Sequence, residues 1–272
     1  MNGVRFSPRR LLFIALNTLR EAGRQKAFTF LLVLALALVL GAQSLREFHF
    51  GSPELKFVSD LGFGAMAFFG AILAVVATAQ LFFGELEHRT VRTLLAKPVG
   101  RTEFILGKYL GVAVVTGVFC GLLTVVLAGV LWTRETSLMR ELPEVRTGGR
   151  LVDYGQVAAV GLLQWLKLVV LSALTLLVAS YAQTQLFTMA TGFLVGVICH
   201  LQYLALEAAA RGAGPVSRVV AGLVALVLPN FQLFTAAGTV AWIQVAGVAL
   251  YAFAYVTAAC ALAVFSFRRR EI

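Results

Sequence analysis

The chain has 272 residues, 60% of them hydrophobic and 13% charged, where a typical soluble domain carries ~25% charged residues. That composition excludes a soluble globular fold and indicates an integral membrane protein. The net charge of +10 is gathered beside apolar runs, so it reports orientation in a membrane and does not call for a nucleic-acid partner.

Several apolar runs reach the ~20 residues that a helix needs to cross a bilayer. No pattern of short alternating strands suggests a barrel, so the spans are predicted to be helices that satisfy their own backbone. The fold class expected is an all-α integral membrane protein, one membrane domain over 1–272 with six transmembrane helices. The first apolar run begins after residue 26 and lacks a small-residue cleavage site, so it does not read as a signal peptide.

Residues 8–26 read as an amphipathic interfacial helix, with Ser7 placed to cap it and Pro8 suited to its first turn. Leu12, Leu16 and Leu19 form one stripe, and Asn17, Arg20, Glu21 and Arg24 the opposite one. A basic amphipathic helix beside a span lies in the headgroup layer. Spans are then predicted at 27–43, 61–84, 104–131, 154–181, 186–206 and 240–267. A polar segment runs from Thr133 to Asp153. The run 219–234 is broken by Pro229-Asn230; its 16 residues would rise only ~24 Å as a helix. It is therefore expected to dip into the outer side of the membrane or lie along it, and not to cross.

With the N-terminus in the cytoplasm, the inner segments hold 14 Lys/Arg and 5 Asp/Glu, and the outer loops hold 8 of each. By the positive-inside rule both termini are cytoplasmic.

The densest polar feature is ELEHRTVRTLLAKPVGRTEFILGK, Glu85 to Lys108, between two apolar runs. Leu86, Val91, Leu94 and Leu95 fall near one helical face, while His88, Arg89 and Arg92 lie elsewhere on the turn. Lys97-Pro98 ends that helix, because the residue before proline avoids the α region. Thr102 is placed to cap the next helix. A short helix, a proline stop and a second helix start make a rigid cytoplasmic elbow over 85–103.

These residues carry a resemblance. Glu85, Glu87, Thr90, Leu94, Leu95, Pro98, Val99, Arg101, Gly107 and Lys108 hold the spacing seen in the type-2 family of ABC-transporter permeases, and Arg89 stands where that pattern usually has Gly. The chain is also similar to that family in its basic N-terminal helix, its six-span layout and its Leu228-Pro229-Asn230-Phe231 break. The resemblance implies a permease subunit, an exporter of a bacterial-type inner (plasma) membrane. It would pair with a separate nucleotide-binding ATPase subunit and with a second permease copy or a related permease. The elbow is then the coupling helix that docks the ATPase, with Glu85, Glu87, Thr90, Leu94, Pro98 and Arg101 as the candidate transmitting residues.

The chain itself lacks a phosphate loop: after Gly107-Lys108, Tyr109 replaces the Ser or Thr that the motif requires. ATP and Mg are therefore expected on the partner, and no cofactor in this chain. A membrane anchor or scaffold for a cytoplasmic ATPase would use the same elbow without moving cargo. An intramembrane enzyme is disfavoured, since all 13 Asp/Glu lie outside the central parts of the predicted spans.

Lys167 is the only charge deep within an apolar run. Two readings stand: it snorkels to the outer headgroups, or it lines a cavity on a pathway. Cys199-His200 supplies too few ligands for a metal. Cys120, Cys199 and Cys260 sit inside apolar runs and read as small core residues. Gly107/Gly111, Gly117/Gly121 and Gly192/Gly196 are small-residue pairs suited to close helix packing within the subunit or across a dimer.

Overall fold

A computed structural model describes residues 8–42, 54–87, 101–141, 151–210, 222, 227–235 and 239–269. Among these residues there are seven α-helices and no strand. They are α1 (Pro8–Arg24), α2 (Lys26–Gly41), α3 (Glu54–Glu87), α4 (Arg101–Glu141), α5 (Tyr154–Tyr181), α6 (Gln185–Ala210) and α7 (Trp242–Arg269). A 3-10 turn, Phe231–Phe234, precedes α7.

Five helices are long and apolar enough to cross a bilayer, within Glu54–Gly84, Thr102–Arg140, Tyr154–Tyr181, Gln185–Leu204 and Trp242–Phe267. The remaining predicted span, 27–43, corresponds to α2, whose 16 residues rise only ~24 Å, short of the ~30 Å hydrocarbon layer. It reaches span length only when joined to α1, from which it is bent by 66°. The break is Gln25, in extended backbone between the two helices.

Two helices overrun their predicted spans. α3 starts at Glu54, directly after Pro53, and includes the polar residues ahead of Leu61. α4 continues past Leu131 to Glu141, taking in the first part of the stretch read as a polar segment. A loss of apolar character ends contact with lipid, but it does not end a helix. The next strong breaker in the sequence is Pro143, two residues beyond the helix end.

The extra turns hold the bundle together at the end where α3 begins, here the Glu54 end. Arg134 of α4 is ion-paired with Glu54 of α3. Buried Glu135 accepts hydrogen bonds from the backbone N–H of Leu151 (2.7 Å) and Val152 (3.2 Å) and from the Tyr154 hydroxyl (2.6 Å). Asp153 caps α5, its carboxylate accepting from the N–H of Gly155 and Gln156. Gln156 clips the approach to α7: its Nε2 donates to the Val240 carbonyl (3.0 Å) and its Oε1 accepts from the Val240 N–H (2.7 Å). Gln156→Leu strands both backbone groups, each worth about 1–3 kcal/mol when left unpaired. A lower thermal midpoint in detergent, with faster amide exchange at 240–245, is the expected result.

α5 is the central helix, packed against α3, α4, α6, α7 and the 3-10 turn. Within the broken run, residues 228–234 contact α6 and α7. The Leu228 carbonyl accepts from Gln202 Nε2 (2.8 Å) and from the Tyr255 hydroxyl (3.5 Å), and the Asn230 N–H donates to the Tyr251 hydroxyl (2.9 Å). Phe231 and Phe234 are buried, edge to face, with centroids 6.1 Å apart. Side chains of α6 and α7 thus satisfy backbone groups that this irregular segment leaves without helical partners. α6 and α7 carry much of the exposed apolar surface, including Leu186, Leu194, Ile243, Leu250 and Phe253. Cys120, Cys199 and Cys260 are buried free thiols.

Candidate functional site

The end opposite Glu54 is where α3 stops and α4 starts. Glu85 and Glu87 fall in the last turn of α3, and Arg101 is the first residue of α4. Thr90, Leu94 and Pro98 lie outside the described residues.

The two roots of this segment stand on an aromatic mount. Phe82 comes from α3, Phe104 from the first turn of α4 and Phe267 from the last turn of α7. Phe82 meets Phe267 edge to face at 5.7 Å and lies tilted to Phe104 at 6.4 Å, and Phe104 stacks on Phe267 at 6.0 Å. All three are buried, in one cluster with Ile105, Ala179, Ala182 and Ala263. The mount thus ties both roots of the elbow to the last helix. Its aromatics were invisible as a group in the sequence, because phenylalanine is common in apolar runs and these three come from distant positions.

α1 braces the same end from outside. A stripe of small residues, Ala15, Thr18 and Ala22, is buried, whereas Leu12, Phe13 and Leu16 are exposed. The stripe packs on α4, where Gly107 and Gly111 remove the Cβ atoms that would block it. A Cβ at Gly107 would sit 2.7 Å from Ile14 Cβ, and one at Gly111 2.4 Å from Thr18 Cβ. This glycine pair therefore serves packing inside the subunit. Leu12 and Leu16 point away from the protein, as a lipid-facing stripe would. Glu21, predicted on the polar face, instead pairs with Lys108 across 3.3 Å, and Lys108 is only 2% exposed. The signal in the sequence was Lys108 itself, the only charge in its apolar run.

Lys167 sits at the midpoint of α5, about 20 Å along the axis from either helix end. The side chain is half-buried, with Nζ 5.6 Å from the Phe231 ring centroid in cation–π geometry. It lines a cleft of 420 Å³ between α3, α5 and α6, together with Phe68, Ile72, Gly196, His200 and Phe231. A larger cleft of 600 Å³ opens at the Glu54 end; its lining is mainly apolar, with Glu54, Lys56, Asp60, Asp153 and Gln156 among it. Among the described residues, no three His, Cys, Asp or Glu side chains gather as metal ligands.

A family model described as ABC-2 family transporter protein matches residues 13–272. The chain belongs to this family. No curated protein matches it. The ABC-2 protein is accordingly a multi-pass permease subunit of an ABC transporter, a transport component that is not itself catalytic, and the family implies partnership with an ABC ATPase subunit. The match extends beyond the elbow. It takes in most of α1, both mount-bearing ends and the cleft.

Proposed function

We propose that this permease works as an exporter in a bacterial-type inner membrane, driven by a separate ATPase subunit that grips the segment 85–103 from the cytoplasm. ATP and Mg sit on that subunit. A second permease copy or a related permease completes the pathway, and the exposed apolar faces of α6 and α7 offer surface for it. Glu85, Glu87, Thr90, Leu94, Pro98 and Arg101 take up the partner's motion.

The observation that carries this reading is the mount. Phe82, Phe104 and Phe267 join both roots of the segment to the last helix, and Glu21–Lys108 joins them to α1. A push on the segment would then move four helices as one body. Orientation is supported by charge: the fold gathers α1, the α3–α4 roots and the α7 terminus at one end, and those segments carry most of the 14 inner cations.

The permease performs no bond chemistry. ATP-bound partners would favour one arrangement of the helices over another, and a shift from 1:99 to 99:1 takes about 5.5 kcal/mol of differential binding. Glu87→Ala and Arg101→Ala are expected to reduce ATPase co-purification and cargo-stimulated ATP turnover by about tenfold each, the scale of one lost charge-assisted contact. Unchanged retention and turnover in both would remove the elbow from the mechanism. Impermeant maleimide labelling of Arg92→Cys in intact cells tests the side: exterior labelling would overturn the orientation.

A further inference from the structure

We propose that the cleft between α3, α5 and α6 binds one anionic amphiphile, its carboxylate or phosphate at Lys167 and its hydrocarbon tail along α3 and α6. This names a ligand class for the permease and rests on the reading of the chain as one.

Charge comes first. Lys167 is at mid-helix, where an ammonium lacks bulk water and needs a counter-charge. Phe231 offers its ring face at 5.6 Å, which attracts the cation without neutralising it. The cleft lining contains a second basic side chain, His200, and no carboxylate among the described residues. An anion is the chemical complement of such a site, whereas a cationic or neutral compound would leave Lys167 unmatched.

Shape comes second. A volume of 420 Å³ falls within the ~300–1,000 Å³ of small-molecule sites. Apart from Lys167 and His200 the walls are apolar, drawn from Phe68, Ile72 and Val75 on α3 and Phe193 and Val197 on α6. Such walls accept a tail and offer a sugar or a hydrophilic peptide few hydrogen bonds. Gly64 widens the groove: a Cβ built there meets no atom within 4 Å. A larger side chain at that position would enter the cleft without disturbing the helices.

The test uses the full chain in nanodiscs of zwitterionic phosphatidylcholine, without nucleotide or partner. A failure here is therefore separable from a failure of ATPase coupling. The probes are a diazirine analogue of palmitate and its methyl ester, with crosslinks mapped by peptide mass spectrometry. The acid is expected to label α3 and α6 saturably near Phe68 and Phe193, with the ester about tenfold weaker. Lys167→Gln should bring the acid down to the level of the ester, and Lys167→Arg should retain most of the affinity. Gly64→Leu should abolish labelling by filling the groove. Equal labelling by acid and ester in the unmodified chain would overturn the proposal whatever the variants do. So would full labelling of Gly64→Leu, or a cleft that labels with neither probe while Phe68→Cys forms disulfide dimers, which would assign the groove to a second copy.

Discussion

Phe82→Ala is expected to lower the stability of the permease by about 3 kcal/mol, as large-to-small core substitutions do, and to loosen the end that carries the elbow. Phe82 is 1% exposed and touches rings from three places in the chain: its neighbour Phe83, Phe104 and Phe267. In a membrane the loss is not mainly one of transfer from water, because lipid is as apolar as the core. What disappears is dispersion contact, and a void beside two stiff rings cannot easily be refilled. Phe253→Ala removes the same ring from a site that is 64% exposed and serves as the control. The measurement is thermal unfolding in detergent alongside amide exchange over 80–87 and 101–105. If Phe82→Ala melts with the control and exchanges no faster, the mount has no mechanical role. If the elbow is driven through the mount, cargo-stimulated ATP turnover falls as well, even though the substitution lies outside 85–103.

The second large effect is expected from Gly111→Leu. A Cβ at that position would lie 2.4 Å from Thr18 Cβ and Cγ2 and 3.1 Å from the Ala15 carbonyl oxygen. Backbone cannot step aside as a flexible side chain can, so α1 has to lift from α4. Overpacking of this kind costs about 1–3 kcal/mol. Lifting α1 also separates Glu21 from buried Lys108, now 3.3 Å apart, and parting an ion pair from one buried member adds to the penalty. Faster exchange of amides 11–24, with the central helices unchanged, is the predicted signature. Gly121→Leu is the comparison on the same helix, since a Cβ there meets nothing within 4 Å. Equal protection of α1 in both variants would show that α1 is not held through this seam.

Each apolar run predicted as a span falls within or against one helix, because a run long enough to cross a bilayer must satisfy its own backbone. The predicted span 154–181 coincides with α5. Hydropathy failed at helix ends because polarity and helicity are separate properties: α3 and α4 run on through Lys56, Asp60, Arg134 and Glu135. Pro53 and Pro143 flank the two overrun ends, the start of α3 and the end of α4. The spacing of residues from Glu85 to Lys108 was enough to suggest the family, and the match over 13–272 establishes it. Thr90, Leu94 and Pro98 fall outside the described residues, so their part in coupling rests on that spacing and awaits experiment.

By itself, then, the amino-acid sequence determined a helical membrane protein, the approximate positions of its helices and its kinship with ABC-2 permeases. All three are written in local composition and short-range spacing. Only the tertiary structure decided what Lys108 and Lys167 face, which side of α1 docks, and that Phe82, Phe104 and Phe267 meet. The reason is physical: pairing a buried charge or stacking a ring depends on what other helices place within a few ångströms, and no residue's immediate neighbours in the chain record that.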